Sequence, residues 1–81
     1  YKVEPEYSEE ARKAKFQGTV VLTAIVDADG KVRDIKVMRS LGLGLDEKAI
    51  EAIQQWRFRP GIKNGKPVAI LVIIEVNFRL L

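Results

Sequence analysis

An α+β fold is what this sequence predicts: one three-stranded antiparallel sheet with two helices packed on one of its faces. Three observations carry it. Two β-branched, apolar stretches, at 19–26 and 31–38, flank an Asp29-Gly30 pair, which is a strong hairpin signal. Ala49, Ala52, Ile53 and Trp56 recur at three- and four-residue spacing, one apolar stripe of a helix. From Val68 to Leu80 every even position is apolar, the period of a strand.

In chain order, Pro5 biases Glu4 away from helix, so the opening is extended. Ser8 is a good N-cap, and Glu9 and Glu10 suit the first turn of the short helix that follows. Ala11, Ala14 and Lys15 continue that helix, and Gly18 is expected to end it. In the second strand Val32, Ile35 and Val37 break strict alternation, which a β-bulge between 32 and 35 explains. Asp46 is expected to cap the second helix, with Leu45 extending its stripe and Glu47, Lys48, Glu51, Gln54 and Gln55 on its wet face. Pro60-Gly61 and Asn64-Gly65 punctuate the next stretch. The third strand, 68–80, would span about 43 Å at ~3.3 Å per residue, so part of it is expected to overhang its neighbours.

Composition narrows the function. With 81 residues the chain is expected to be a single domain, 1–81, and a core of this size leaves no room for a large enclosed active site. Cysteine and histidine are both absent, which removes the thiol nucleophile, the thiolate metal site and the commonest general base. Glu4, Glu6, Glu9 and Glu10 are neighbours in sequence only, and no pocket to shift their pKa values is indicated. Asp27, Asp29 and Gly30 begin like a calcium loop, but the ligand series stops there. Hence no enzyme and no cofactor are expected. The net charge of +3 comes from bases interleaved with acids along the whole chain, a pattern that argues against nucleic acid as partner. Trp56 lies on the helical stripe and reads as core, while Arg57, Arg59, Lys63 and Lys66 read as a solvated stretch. The longest apolar run, 68–74, falls far below the ~18 residues that span a bilayer. Because the chain opens at Tyr1 without Met, it is expected to be a fragment of a longer protein, with any anchor upstream.

Taken in order, these pieces resemble one family over essentially the whole chain. EPEYSEEARKAKFQGTVVL is similar to the opening of TonB C-terminal domains, VDADGKVRDIKVMRS to their hairpin, and LDEKAIEAIQQWRFRP to their helix and W-[RK]-[FY]-x-P signature, carried by Trp56, Arg57, Phe58 and Pro60. NGKPV and a long strand ending in Asn77-Phe78 complete the likeness. One departure is that the family has Tyr-Pro where this chain has Tyr7-Ser8; serine can cap the helix instead.

The resemblance implies a sheet order of 2-1-3, with the third strand at an edge. It implies a periplasmic domain of a protein anchored in the Gram-negative inner membrane, joined there to proton-driven motor proteins through an N-terminal part. It implies that the partner is the TonB box, a short peptide of outer-membrane transporters, added as an extra strand beside Ile70, Leu71, Val72, Ile73, Ile74, Glu75, Val76, Asn77 and Phe78, with Glu4, Glu6 and Tyr7 of the opening segment alongside. An unpaired strand edge is physically suited to this, because its free N–H and C=O groups form a row that a peptide can complete. Such domains also occur as modules of sensors, peptidases and envelope structural proteins, and some form strand-exchanged homodimers. Ala69, Leu71 and Ile73, with Val21 and Ile25, make the outer sheet face apolar too, which points to cover by a second copy or a partner as an alternative to ordinary surface exposure.

Overall fold

The computed structural model describes residues 5–80. The elements are α1 (Glu9–Lys13), β1 (Gly18–Val26), β2 (Val32–Arg39), α2 (Leu45–Gln54), β3 (Gly61–Lys63), β4 (Lys66–Val68) and β5 (Ile70–Phe78). A three-stranded antiparallel sheet has the order β2-β1-β5, and β3 and β4 form a separate two-stranded hairpin. The expected 2-1-3 order is therefore present, with β5 as the third strand.

Alternation decides which face is dry. Val20, Leu22, Ala24 and Val26 of β1 are fully buried, and Ile74, Val76 and Phe78 of β5 lie on the same side. Register pairs them directly: Val20 with Val76, Leu22 with Ile74, Ala24 with Val72. Ala11 of α1, Leu45, Ala49 and Ile53 of α2, and Trp56 just beyond it join the buried residues of both strands, except Val26, in one core cluster. Both helices thus cover the same face. Trp56 is a core residue, packed against Phe58 with ring centroids 5.8 Å apart.

Ser8 caps α1 as expected: its Oγ accepts the Ala11 N–H at 3.1 Å. The helix stops earlier than Gly18. Lys15 takes the left-handed conformation (φ 52°), Phe16 N–H donates to Ala11 C=O at 2.9 Å, and Lys15 N–H donates to Arg12 C=O at 3.1 Å. That pair of bonds closes a helix C-terminus in the Schellman manner, with lysine where glycine is usual. Gly18 instead opens β1, where a Cβ would come within 2.5 Å of Leu41 Cδ1.

The cap of α2 also differs from expectation. Gly44 occupies the N-cap (φ 76°) and offers no side chain, while Asp46 lies inside the helix. Its carboxylate turns back onto the preceding loop, accepting from Leu41 N–H at 2.8 Å and from the Ser40 hydroxyl. That loop needs holding, because Gly42, Leu43 and Gly44 are all left-handed. Partial burial pushes the Asp46 carboxyl upward, but the bonds from Leu41, Ser40 and Gly42 outweigh it and leave the pKa lowered. A lowered folded-state pKa stabilises the fold above the unfolded value of about 3.9, and this contribution drains away as pH falls through the folded value. Asp46→Asn is expected to cost roughly 1–2 kcal/mol at pH 7. Denaturant melts of the two proteins should converge as the pH is lowered; a gap that persists unchanged in acid would show that the charge is not the cause.

The β-bulge read from the sequence falls where expected. Thr23 pairs with Lys36 but Ile25 with Arg33, so two steps of β1 face three of β2, and Asp34 takes φ 52° at the extra residue. A second slip, between Val21 and Leu22, accommodates Met38.

One expected element is divided. The predicted 68–80 strand is broken at Ala69: Val68 belongs to the small hairpin, paired with Gly61, and β5 runs nine residues only. Asn64 (φ 50°) and Gly65 (φ 77°) form the tight turn of that hairpin, both in the conformation a type I′ turn requires. The expected overhang is absent. β5 faces β1 from Val26↔Ile70 to Gly18↔Phe78, nine residues opposite nine. Beyond Phe78 there is no β1 residue to pair with, and Leu80 N–H donates to the Gln17 side chain at 2.7 Å instead.

Candidate partner-binding edge

β5 bonds to β1 along one side, and its other side meets no strand among the described residues. This leaves an edge of nine consecutive residues. Its side chains divide by parity. Val72, Ile74, Val76 and Phe78 point into the core, so a partner lying along the edge would meet these residues through the backbone alone. Leu71, Ile73, Glu75 and Asn77 point outward and are exposed. Ile70 is 37% exposed at the strand's start.

The far end of the edge is the best-fixed part. Tyr7 stands edge-on to the Phe78 ring, with centroids 5.5 Å apart and planes at 84°, and its hydroxyl donates to Phe16 C=O at 2.9 Å. Asn77 is held by Thr19 across the strand pair, whose hydroxyl donates to Asn77 Oδ1 at 2.6 Å. Beside them lies an open hollow of about 320 Å³ lined by Gln17, Gly18, Thr19, Phe78 and Arg79.

Of the opening-segment residues singled out by sequence, Tyr7 is brought to β5 through Phe78. Half-buried and twice tied, it positions the segment rather than offering a free side chain. Glu6 is exposed and lies 3.9 Å from Lys48 Nζ, on the α2 side. Glu4 lies outside the described residues. Gln17 and Arg79 were not singled out by sequence; their place beside the strand end follows only from the register Gly18↔Phe78.

The electrostatics of the edge are plain. Among the described residues two groups have shifted pKa values, Asp46 in the first turn of α2 and Arg33, raised first by its hydrogen bond to Asp27 at 2.7 Å; neither belongs to β5. Among the described residues there is no group of three or more acids that could hold a metal ion. No helix among them is long and apolar enough to cross a membrane. What the arrangement offers chemically is a ladder of backbone donors and acceptors, with outward side chains to tune the choice of partner.

Comparison with known proteins agrees with this fold. The family described as "Gram-negative bacterial TonB protein C-terminal" matches residues 3–80. Protein TonB of Vibrio cholerae is 40% identical over 79 residues, covering 96% of this chain and 32% of that protein. Protein tonB2 of Pseudomonas aeruginosa is 34% identical over 77 residues, covering 94% of this chain and 28% of its own. The chain thus spans about a third of the length of these curated relatives. Among solved structures, the solution structure of the Pseudomonas aeruginosa TonB C-terminal domain superposes with a TM-score of 0.80 at 27% identity, covering 99% of this chain and 82% of that one. The TonB2 protein of Vibrio anguillarum superposes with a TM-score of 0.61 at 28% identity, covering 99% and 79%.

Proposed function

Because this chain belongs to the family of Gram-negative TonB C-terminal domains, we propose that it is the periplasmic, peptide-binding end of a TonB-type energy transducer. It takes the TonB box of an outer-membrane transporter as a fourth strand beside β5, while an inner-membrane anchor and proton-driven motor proteins act through the rest of the longer protein. The role is binding, not catalysis.

The observation that supports this reading is the edge of β5: nine residues, bonded to β1 on one side and bare of strands on the other among those described. Each backbone bond contributes about 1 kcal/mol net, so five or six give weak-to-moderate affinity after ordering costs. Outward Leu71, Ile73, Glu75 and Asn77 would read the peptide's own side chains. Tyr7 anchors the opening segment at the end of the same strand, so the peptide's arrival there would be felt by that segment.

Titration of the labelled protein with a TonB-box-like peptide, followed by NMR, tests the reading. The amides of Ile70 to Phe78 should shift most, with smaller changes at Tyr7. Absence of any shift at roughly 1 mM peptide would leave the fold standing and move the assignment to a module of the same family with a different partner.

A further inference from the structure

We propose that the outward face of the sheet, opposite the helices and reaching from β2 to the outward side chains of β5, docks an amphipathic helix of a partner protein that is apolar along its centre and acidic along one flank. The face is apolar in the middle. Leu71 and Ile73 are 71% and 74% exposed, Met38 is 66% exposed, and Ile25 and Thr23 lie between them on β1. Thr23, Ile25, Asp34, Ile35, Lys36, Met38 and Leu71 enclose a shallow groove of about 640 Å³ there. Three strands at about 4.8 Å spacing make a face about 10 Å across, the diameter of one helix. The four residue steps of strand from Leu71 to Glu75 span about 14 Å, or some two and a half helical turns.

Charge decides the occupant. Across β1 from this apolar patch, the register places Arg33 opposite Ile25, Lys36 opposite Thr23 and Arg39 opposite Val21, a basic row along the β2 side. Arg33 is committed to Asp27 and Asp34. Lys36 and Arg39 have no ion-pair partner among the described residues. On the same face the acids are Asp34, already paired, and Glu75 opposite Val21. A second copy would bring the same excess of bases against this one. A helix with a line of acids beside its apolar stripe complements it. The two β2 irregularities make the surface what it is: the bulge at Asp34 brings Lys36 to the face of Arg33, the slip at Met38 brings Arg39 to it as well, and Met38 itself lines the groove.

The test uses the full chain, isotopically labelled, and two synthetic 18-residue helices with leucines at i, i+3, i+4 and i+7. One carries glutamates along a flank and the other lysines. The glutamate peptide should shift the amides of Val21 to Ile25, Lys36 to Arg39 and Leu71 to Ile73, and the shifts at Lys36 to Arg39 on β2, away from the β5 edge, should set it apart from a TonB-box-like peptide. Lys36→Glu with Arg39→Glu, both exposed and so neutral for folding, should weaken the glutamate peptide about three- to tenfold and admit the lysine peptide. Equal binding of both peptides to the parent protein, or no shift at roughly 1 mM, would overturn the proposal. So would binding to anionic phospholipid vesicles with neither peptide bound, which would assign the face to a membrane. A dimer in sedimentation that Leu71→Lys dissolves would assign it to a second copy.

Discussion

Replacing Phe78 by alanine should lower the stability of this domain by about 3–5 kcal/mol, and a chain of this size has only about 4–12 kcal/mol in all. Phe78 is 1% exposed and stands among the largest fully buried side chains. It is also where two parts of the fold meet. Its backbone pairs with Gly18 at the start of β1, and its ring makes a T-shaped contact with that of Tyr7. The truncation therefore opens a cavity and removes the aromatic partner that holds the opening segment. The expected fall in Tm is about 15–30 °C. Phe78→Leu, which keeps most of the volume, should cost less than about half as much. Tyr7→Phe separates the two roles: it keeps the ring contact and removes only the bond to Phe16 C=O, for about 1 kcal/mol. If Phe78→Ala proved no worse than Phe78→Leu, the tight packing at the end of β5 would have to be rejected.

The sheet was legible because it is written in side-chain parity. Burial alternates along β1 and along the second half of β5, and a one-residue slip of either strand would turn its buried set to the other face. The bulge was legible for the same reason, since Val32 and Ile35 cannot share a face in a regular strand. Helix ends were less so. Asp46 has the chemistry of a cap, but three left-handed residues before it use its carboxylate to fix the loop, and glycine takes the cap position. Lys15 adopts a conformation that side chains disfavour, which no propensity reveals.

The division of the last stretch had a signal that parity masked. Asn64-Gly65 is the residue pair that a type I′ turn demands, and it lies between Gly61–Lys63 and Lys66–Val68. Val68 keeps the even-position rhythm of β5 although it pairs elsewhere, so periodicity alone joins what the turn separates. The edge itself was visible only through resemblance. Nothing in the alternation of Ile70 to Phe78 states on which side of β1 it lies, because sheet order is a property of the connections and not of any strand. The basic row on the outer face was invisible for a similar reason: Arg33, Lys36 and Arg39 become neighbours on one face only through the two slips in β2.

Gly30→Ala is expected to cost about 2–4 kcal/mol, although it adds a single methyl group. Gly30 closes the β1–β2 turn at φ 85°, its N–H donating to Asp27 C=O at 2.9 Å. It is also buried, because the segment after α2 lies across it: Phe58 N–H donates to Gly30 C=O at 3.0 Å, and a Cβ here would sit 2.4 Å from Phe58 O. The conformation alone costs an alanine about 1 kcal/mol. The remainder comes from pushing away a backbone carbonyl, which cannot rotate aside as a side chain can, and from weakening the Phe58 bond. Gly42→Ala is the matched control, since Gly42 has φ 86° but nothing within 4 Å of its Cβ position. It should lose only the conformational part. The difference between the two variants in denaturant melts thus measures the contact between the hairpin turn and the Trp56–Pro60 segment. Near-UV dichroism should change for Gly30→Ala, because Trp56 and Phe58 are packed together on that strap. Equal losses at the two glycines would mean that the strap yields freely. The WRFRP motif would then owe its place to Trp56 in the core rather than to the turn beneath Phe58.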